Sequence, residues 1–273
     1  MKRILVATDF SACATNAMEY AMDLAKVLKV EVCAIHAIGS FEGVFNNTYN
    51  ALYIDDYYNS KREALKAWAA TFSSRETYSE VPVTTSCEVG SVSTVITKYL
   101  DLHPVEMLVM GTMGTSGISG LFGSNASTMV EKTRIPTLII PLGSKFSLNP
   151  NITLATDFSS TPSAEDINAL NELVRAFGAE KINVVNIVEG AAWKVNESGE
   201  QNLRALIPNA VLEFRYLKED STIGGITNFI VSSETDIVCL VKRHHGLVYR
   251  LFNTSTVNKM LNRSLKAVLV LHE

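Results

Sequence analysis

The sequence predicts an α/β protein made of two consecutive units, each a parallel β-sheet covered by helices on both faces. Three observations carry this expectation. A phrase recurs, with residues 4–11 reading ILVATDFS and residues 152–159 reading ITLATDFS. Short apolar runs lack the polar alternation of half-exposed strands, as strands buried on both faces do. Between these runs, apolar residues recur at helical spacing.

The elements follow in order. Ile4-Leu5-Val6 reads as the first strand, and Ser11 as the N-cap of a helix striped by Ala14, Ala17, Met18, Ala21, Leu24, Ala25 and Leu28. Val30 to Ile35 is a second strand. A helix is expected near Asn59 to Phe72, a third strand over Val83 to Val89, and a helix through Val92, Val95, Ile96, Tyr99 and Leu100. Met107 to Met110 is a fourth strand, a helix runs from about Ser124 to Lys132, and Thr137 to Ile140 is a fifth strand. The second unit repeats the series. Its helix carries Ile167, Leu170, Leu173, Val174 and Phe177 and ends at Gly178, before a strand over Ile182 to Val188. A weaker helix near Glu200 to Leu206, a strand over Val211 to Leu217 and a helix through Ile223, Ile226, Phe229 and Ile230 come next. Ile237 to Val241 and Ala267 to Leu271 are the last strands. Gly, Ser, Asn and Pro cluster from Gly143 to Pro150 and mark a linker, so the units are 1–143 and 149–273.

Composition narrows the function classes. The 273 residues are 47% hydrophobic and 19% charged, with a formal net charge of −4. Broad nucleic-acid binding needs a basic surface, which this balance does not supply. No apolar run approaches the roughly 18 residues of a membrane span. Cys13, Cys33, Cys87 and Cys239 are scattered without metal-ligand spacing, and Cys33 and Cys239 read as buried small hydrophobes. A strand close behind Met1 leaves no room for a signal peptide, and the expectation is a cytoplasmic protein.

Ligands of open parallel sheets bind beyond the carboxyl ends of the strands. In the first unit Thr8-Asp9-Phe10-Ser11, then His36-Ala37-Ile38, and a glycine-rich stretch from Gly111 to Asn125 lie there. That stretch has five glycines in fifteen positions, with Ser and Thr between them. Glycine lets main-chain amides turn toward an anion, and the following helix presents the positive end of its dipole. Asp9 is placed to accept from a ribose or to hold magnesium through water. A plain surface loop has the same composition. Neither G-x-x-x-x-G-K-[S/T] nor G-x-G-x-x-G is present, which argues against a P-loop ATPase and a dinucleotide-binding domain.

These residues together resemble the universal stress protein family, as two copies in tandem. The resemblance covers nearly the whole chain. It rests on Thr-Asp-Phe-Ser after the first strand, Gly111-Thr-Met-Gly114 after Leu-Val-Met, Gly123-Ser124 before the last helix of the first unit, and Ile-Pro-Thr-Leu-Ile-Ile-Pro at residues 135–141. It implies two tandem five-stranded parallel-sheet sandwiches of the adenine-nucleotide-alpha-hydrolase-like, Rossmann-like kind. It also implies a site for ATP or AMP, with or without magnesium, at Asp9, Ala37, Gly111, Gly114, Gly123, Ser124 and Asn125. Nucleotide-binding members carry nine residues between the G-x-x-G and the G-[S/T], whereas this chain has eight, Thr115 to Phe122. The resemblance further implies that the fifth strands meet edge to edge, an intramolecular version of the family's dimer.

The second unit has lost the loop. After Val241 it reads KRHHGLVYRLFNT, with bulky residues where backbone must approach phosphate. No nucleotide is expected there in the family's mode, although Asp157 persists. Lys242, Arg243, His244, His245 and Arg250 form either an anion or partner site or a solvated loop. His36 either lines the cleft or packs. No Ser-His-Asp or Cys-His set can be assembled, so at most a slow ATPase or self-phosphorylation at a hydroxyl such as Ser124 is expected. The leading expectation is a stress-response protein that binds an adenine nucleotide in its first unit. The alternative is a nucleotide-free adaptor acting through protein contacts or a small apolar ligand. A further homodimer stays open, and Phe41 to Tyr58 carries no readable pattern.

Overall fold

The computed structural model describes residues 2–39, 50–112, 123–156, 158, 162–189, 196–219, 222–242 and 266–272. The first half contains β1 (Arg3–Ala7), α1 (Ala12–Leu28), β2 (Glu31–Ile38), α2 (Asn50–Ser73), β3 (Val83–Val89), α3 (Val92–Leu102), β4 (Met107–Gly111), α4 (Ser124–Lys132) and β5 (Thr137–Ile140). The second contains β6 (Ile152–Thr156), α5 (Ala164–Phe177), β7 (Lys181–Glu189), α6 (Glu197–Leu206), β8 (Val211–Glu219), α7 (Thr222–Ser232), β9 (Ile237–Lys242) and β10 (Ala267–His272). The helix expected between β9 and β10 lies outside the described residues.

All ten strands form one sheet in the order β3-β2-β1-β4-β5-β10-β9-β6-β7-β8. Within each half every pairing is parallel, and only β5 and β10 meet antiparallel. The fifth strands therefore do join edge to edge, which removes two exposed apolar edges. One buried layer packs α1 and α5 on one face of the sheet, and a second packs α3, α4 and α7 on the other.

The halves repeat each other beyond strand order. Phe10 and Phe158 both take left-handed φ, at 64° and 50°. The C-caps of α1 and α5, Lys29 and Gly178, are both left-handed. Each phenylalanine amide donates to the hydroxyl two residues before it, Thr8 Oγ1 at 3.0 Å and Thr156 Oγ1 at 3.1 Å. The His36 Nδ1–H donates to the Thr8 carbonyl and the Asn186 amide to the Thr156 carbonyl, each at 2.8 Å. The repeated Thr-x-Phe phrase thus encodes a strand-end turn.

Three elements differ from expectation. α2 starts at Asn50, nine residues before the expected start near Asn59, and its Tyr57 and Tyr58 pack against the small cluster of Ala34, Ile38, Leu65, Ala69 and Cys87. α6 starts at Glu197, where the Asn196 side chain accepts from the Gly199 amide. The stretch from Gly143 to Pro150 is packed against both halves. Asn16 donates to the carbonyls of Pro141 and Ser144, at 3.1 and 3.2 Å. Phe146 lies between Tyr20 of α1 and Phe177 of α5, with ring centroids at 5.3 and 5.8 Å. All four cysteines are buried thiols.

Candidate functional site

The chain turns sharply where β1 ends. The Thr8 amide donates to the Ile35 carbonyl, holding the end of β1 against β2. Asp9 Oδ1 accepts from the Ser11 amide at 3.1 Å, and Ser11 Oγ accepts from the Ala14 amide at 3.2 Å, capping α1. Asp9 is thus a turn former as well as a carboxylate at the sheet crest. His36 both packs and lines the cleft: its ring lies 4.6 Å from that of Phe10, which meets Trp68 edge-on.

At the end of β4 the backbone is tightly constrained. A Cβ on Gly111 would sit 2.8 Å from Cys13 Sγ and 3.1 Å from both the carbonyl carbon and oxygen of Cys13. Glycine is required here because β4 passes against the first turn of α1. That is a packing reason, where the sequence suggested approach to a phosphate. The Thr112 amide donates to the Ile140 carbonyl at 3.1 Å, and the Gly123 amide donates to the Thr112 carbonyl at 2.5 Å. Both amides are committed to the protein. Gly114 and the other residues of 113–122 lie outside the described residues.

α4 starts at Ser124 without a side-chain cap, its N-cap being Gly123, and has no acidic residue in its first turn. The other α-helices with described N-caps are capped by Ser11, Ser91, Ser163 and Asn196. The first-turn amides of a helix have no intrahelical acceptor. Those of Ser124, Asn125 and Ala126 have no acceptor among the described residues, and the dipole stands behind them.

These parts enclose a cavity of about 230 Å³ at the carboxyl ends of β1, β2 and β4. Asp9, Ala37, Gly111, Gly123, Ser124 and Asn125 all line it. Val92, Val95 and Ile96 of α3, with Ile35 and Met110, give it an apolar wall. The sequence reading assigned those α3 residues only to the helix stripe. Their position three to four residues along a helix after a strand end was the available signal. No group of three or more metal-ligating side chains occurs among the described residues.

The second half differs at the same place. By strand register, Ala37 corresponds to Ile187. Ile187 is buried, and its Cδ1 lies 3.0 Å from where a Cβ on Gly225 of α7 would sit. The second half thus carries a bulkier side chain where the first has Ala37. Lys242, the first residue of the basic cluster, donates from Nζ to the carbonyls of Val130 and Glu131 at 2.8 and 2.5 Å. It thereby caps the C-terminal end of α4, and burial lowers its pKa. Arg243, His244, His245 and Arg250 lie outside the described residues, as does Asp157.

A doubly wound Rossmann-like sheet with its cavity at the strand-order reversal defines the class. The universal stress protein family model matches residues 1–141, and the chain belongs to that family. Among solved structures, a universal stress protein from Archaeoglobus fulgidus DSM 4304 is similar over 99% of this chain and 96% of its own, with 17% identity and a TM-score of 0.73. A candidate universal stress protein from Pseudomonas aeruginosa UCBPP-PA14 covers 99% of this chain and 92% of its own, at 12% identity and a TM-score of 0.57. A functionally unknown protein from Pseudomonas aeruginosa PAO1 has the same coverage and identity, with a TM-score of 0.56. At these identities the likeness concerns the fold. No curated protein sequence matches the chain. No described helix is long and apolar enough to cross a membrane.

Proposed function

We propose that the protein is a stress-response nucleotide binder that holds AMP or ATP in its first half, while its second half is a degenerate universal stress protein domain serving as a built-in dimer partner. One observation carries this reading: a cavity with an apolar wall from α3 and β2 at one end and the uncapped N-terminus of α4 at the other. An adenine ring fits the first, a phosphate the second. Asp9, which also lines the cavity, lies on the side where the ribose would sit. The second half offers Ile187 where the ring would lie. With the Thr112 and Gly123 amides spent, the described donors suit one phosphate group, so AMP binds about as well as ATP. Magnesium held through Asp9 would add charge compensation for further phosphates.

A specific observation favours the second reading, a nucleotide-free adaptor: those two amides, near the two ends of the glycine-rich stretch, are already paired. A fluorescent adenine nucleotide titrated into the purified chain separates the two. The nucleotide reading expects saturable binding, competed by AMP and lost in Ala37→Ile, which copies the second half's own residue. Absence of binding, or equal binding by Ala37→Ile, supports the adaptor.

A further inference from the structure

A second, larger cavity of about 610 Å³ opens at the opposite end of the sheet, beside the amino ends of β1, β4 and β5. It is a groove between the halves, with Leu28 of α1 and Ala169 of α5 among its walls. Val105, Met107 and Ile135 make its floor apolar, and its rim is charged. Lys2 ties one side by pairing with Glu172 at 2.5 Å and Glu106 at 3.9 Å. Arg134 and Glu165 on the rim are exposed.

The internal symmetry says what such a groove takes. Leu28 and Phe177 are the last residues of α1 and α5, each followed by a left-handed C-cap. Counting back eight residues in each helix makes Tyr20 the equivalent of Ala169. The symmetry-related groove is therefore walled by Phe177 and Tyr20, the two residues against which Phe146 packs. A fused pair has one linker, so only one of the two grooves can be filled by it. The open groove also carries the smaller residue at both positions, Leu28 for Phe177 and Ala169 for Tyr20. Its apolar lining and charged rim leave room for an aromatic side chain.

We infer that this groove docks an extended segment of a partner protein that inserts an aromatic side chain between α1 and α5, as Phe146 does in its twin. A buried aromatic anchor inside a polar rim is the usual centre of such contacts. The groove lies at the other end of the strands from the crest cavity, so the inference stands independently of nucleotide binding.

The probe is a synthetic peptide of residues 142–150, LGSKFSLNP, added to the ¹⁵N-labelled full chain. We expect saturable binding with a Kd on the order of 0.1–1 mM. Amide shifts should cluster at Leu28, Ala169 and Ile135. A peptide with Phe146→Ser should bind at least tenfold more weakly. Ala169→Tyr and Leu28→Phe, each copying the twin groove, should also weaken binding at least tenfold while thermal unfolding confirms an intact fold. No saturable binding of the wild-type peptide overturns the inference. So do equal binding of the Phe146→Ser peptide, unchanged binding by both folded variants, or shifts centred on Tyr20 and Phe177.

Discussion

Leu138 of β5 and Leu269 of β10, equivalent residues of the two halves, face each other directly across the antiparallel seam. The pairs around them are reciprocal, Ile139 with Val268 and Thr137 with Val270, so a local two-fold axis passes between the two leucines. Both side chains are buried in the layer shared by α1 and α5. The seam is thus core shared by both halves.

That arrangement makes the halves interdependent. Residues 1–143 expressed alone expose the edge of β5, and a second copy satisfies it by β5–β5 pairing about the same axis. Light scattering should report a homodimer. In the full chain, Leu138→Ala should cost about 2–5 kcal/mol and preserve a single unfolding transition. Two resolved transitions in the wild-type chain would show that the halves unfold separately.

Gly111 tests packing against ligand contact. A methyl group there meets Cys13 Sγ at 2.8 Å and the Cys13 carbonyl at 3.1 Å. Gly111→Ala should destabilise the protein by about 1–3 kcal/mol, the cost of overpacking, with no nucleotide present. Denaturant unfolding in the absence of ligand measures it. A neutral result would return Gly111 to a role at the ligand.

His272, at the end of β10, is buried, and its Nε2 has no hydrogen-bond partner among the described residues. Burial, with Lys242 nearby, pushes its pKa down from the ordinary 6.5 to about 4. Between these values the unfolded chain binds the proton and the folded chain does not. Stability from this group is full above pH 6.5 and is lost as pH falls toward 4. The loss is on the order of 3 kcal/mol. From pH 7 to pH 4.5 the unfolding free energy of wild type should fall by about 2 kcal/mol more than that of His272→Leu. Parallel pH profiles would contradict the assignment.

Much of this architecture was legible. The repeated Thr-Asp-Phe-Ser phrase marked both strand-end turns, and unalternating apolar runs marked strands covered on both faces. Asp9, Ala37, Gly123, Ser124 and Asn125 were read as neighbours and do line one cavity. Features set by distant contacts were illegible. Gly111 is also fixed by Cys13, far away in the chain, a packing constraint that no local reading shows. Gly-Ser-Asn-Pro composition marked the linker, but not that its single aromatic, Phe146, is clamped by two helices. That Ile187 stands where the first half has Ala37 is visible only once β7 is registered against β6. The start of α2 lacked a regular apolar stripe, since its moderately spaced tyrosines pack on only a corner of the core.

Binding stoichiometry tests the central claim most directly. Calorimetric titration of AMP into the full chain should give one site per chain, and Ala37→Ile should abolish it without altering thermal stability beyond that of a surface change. Two sites per chain, none at all, or one site that survives Ala37→Ile would contradict the assignment of the nucleotide to the first half's cavity.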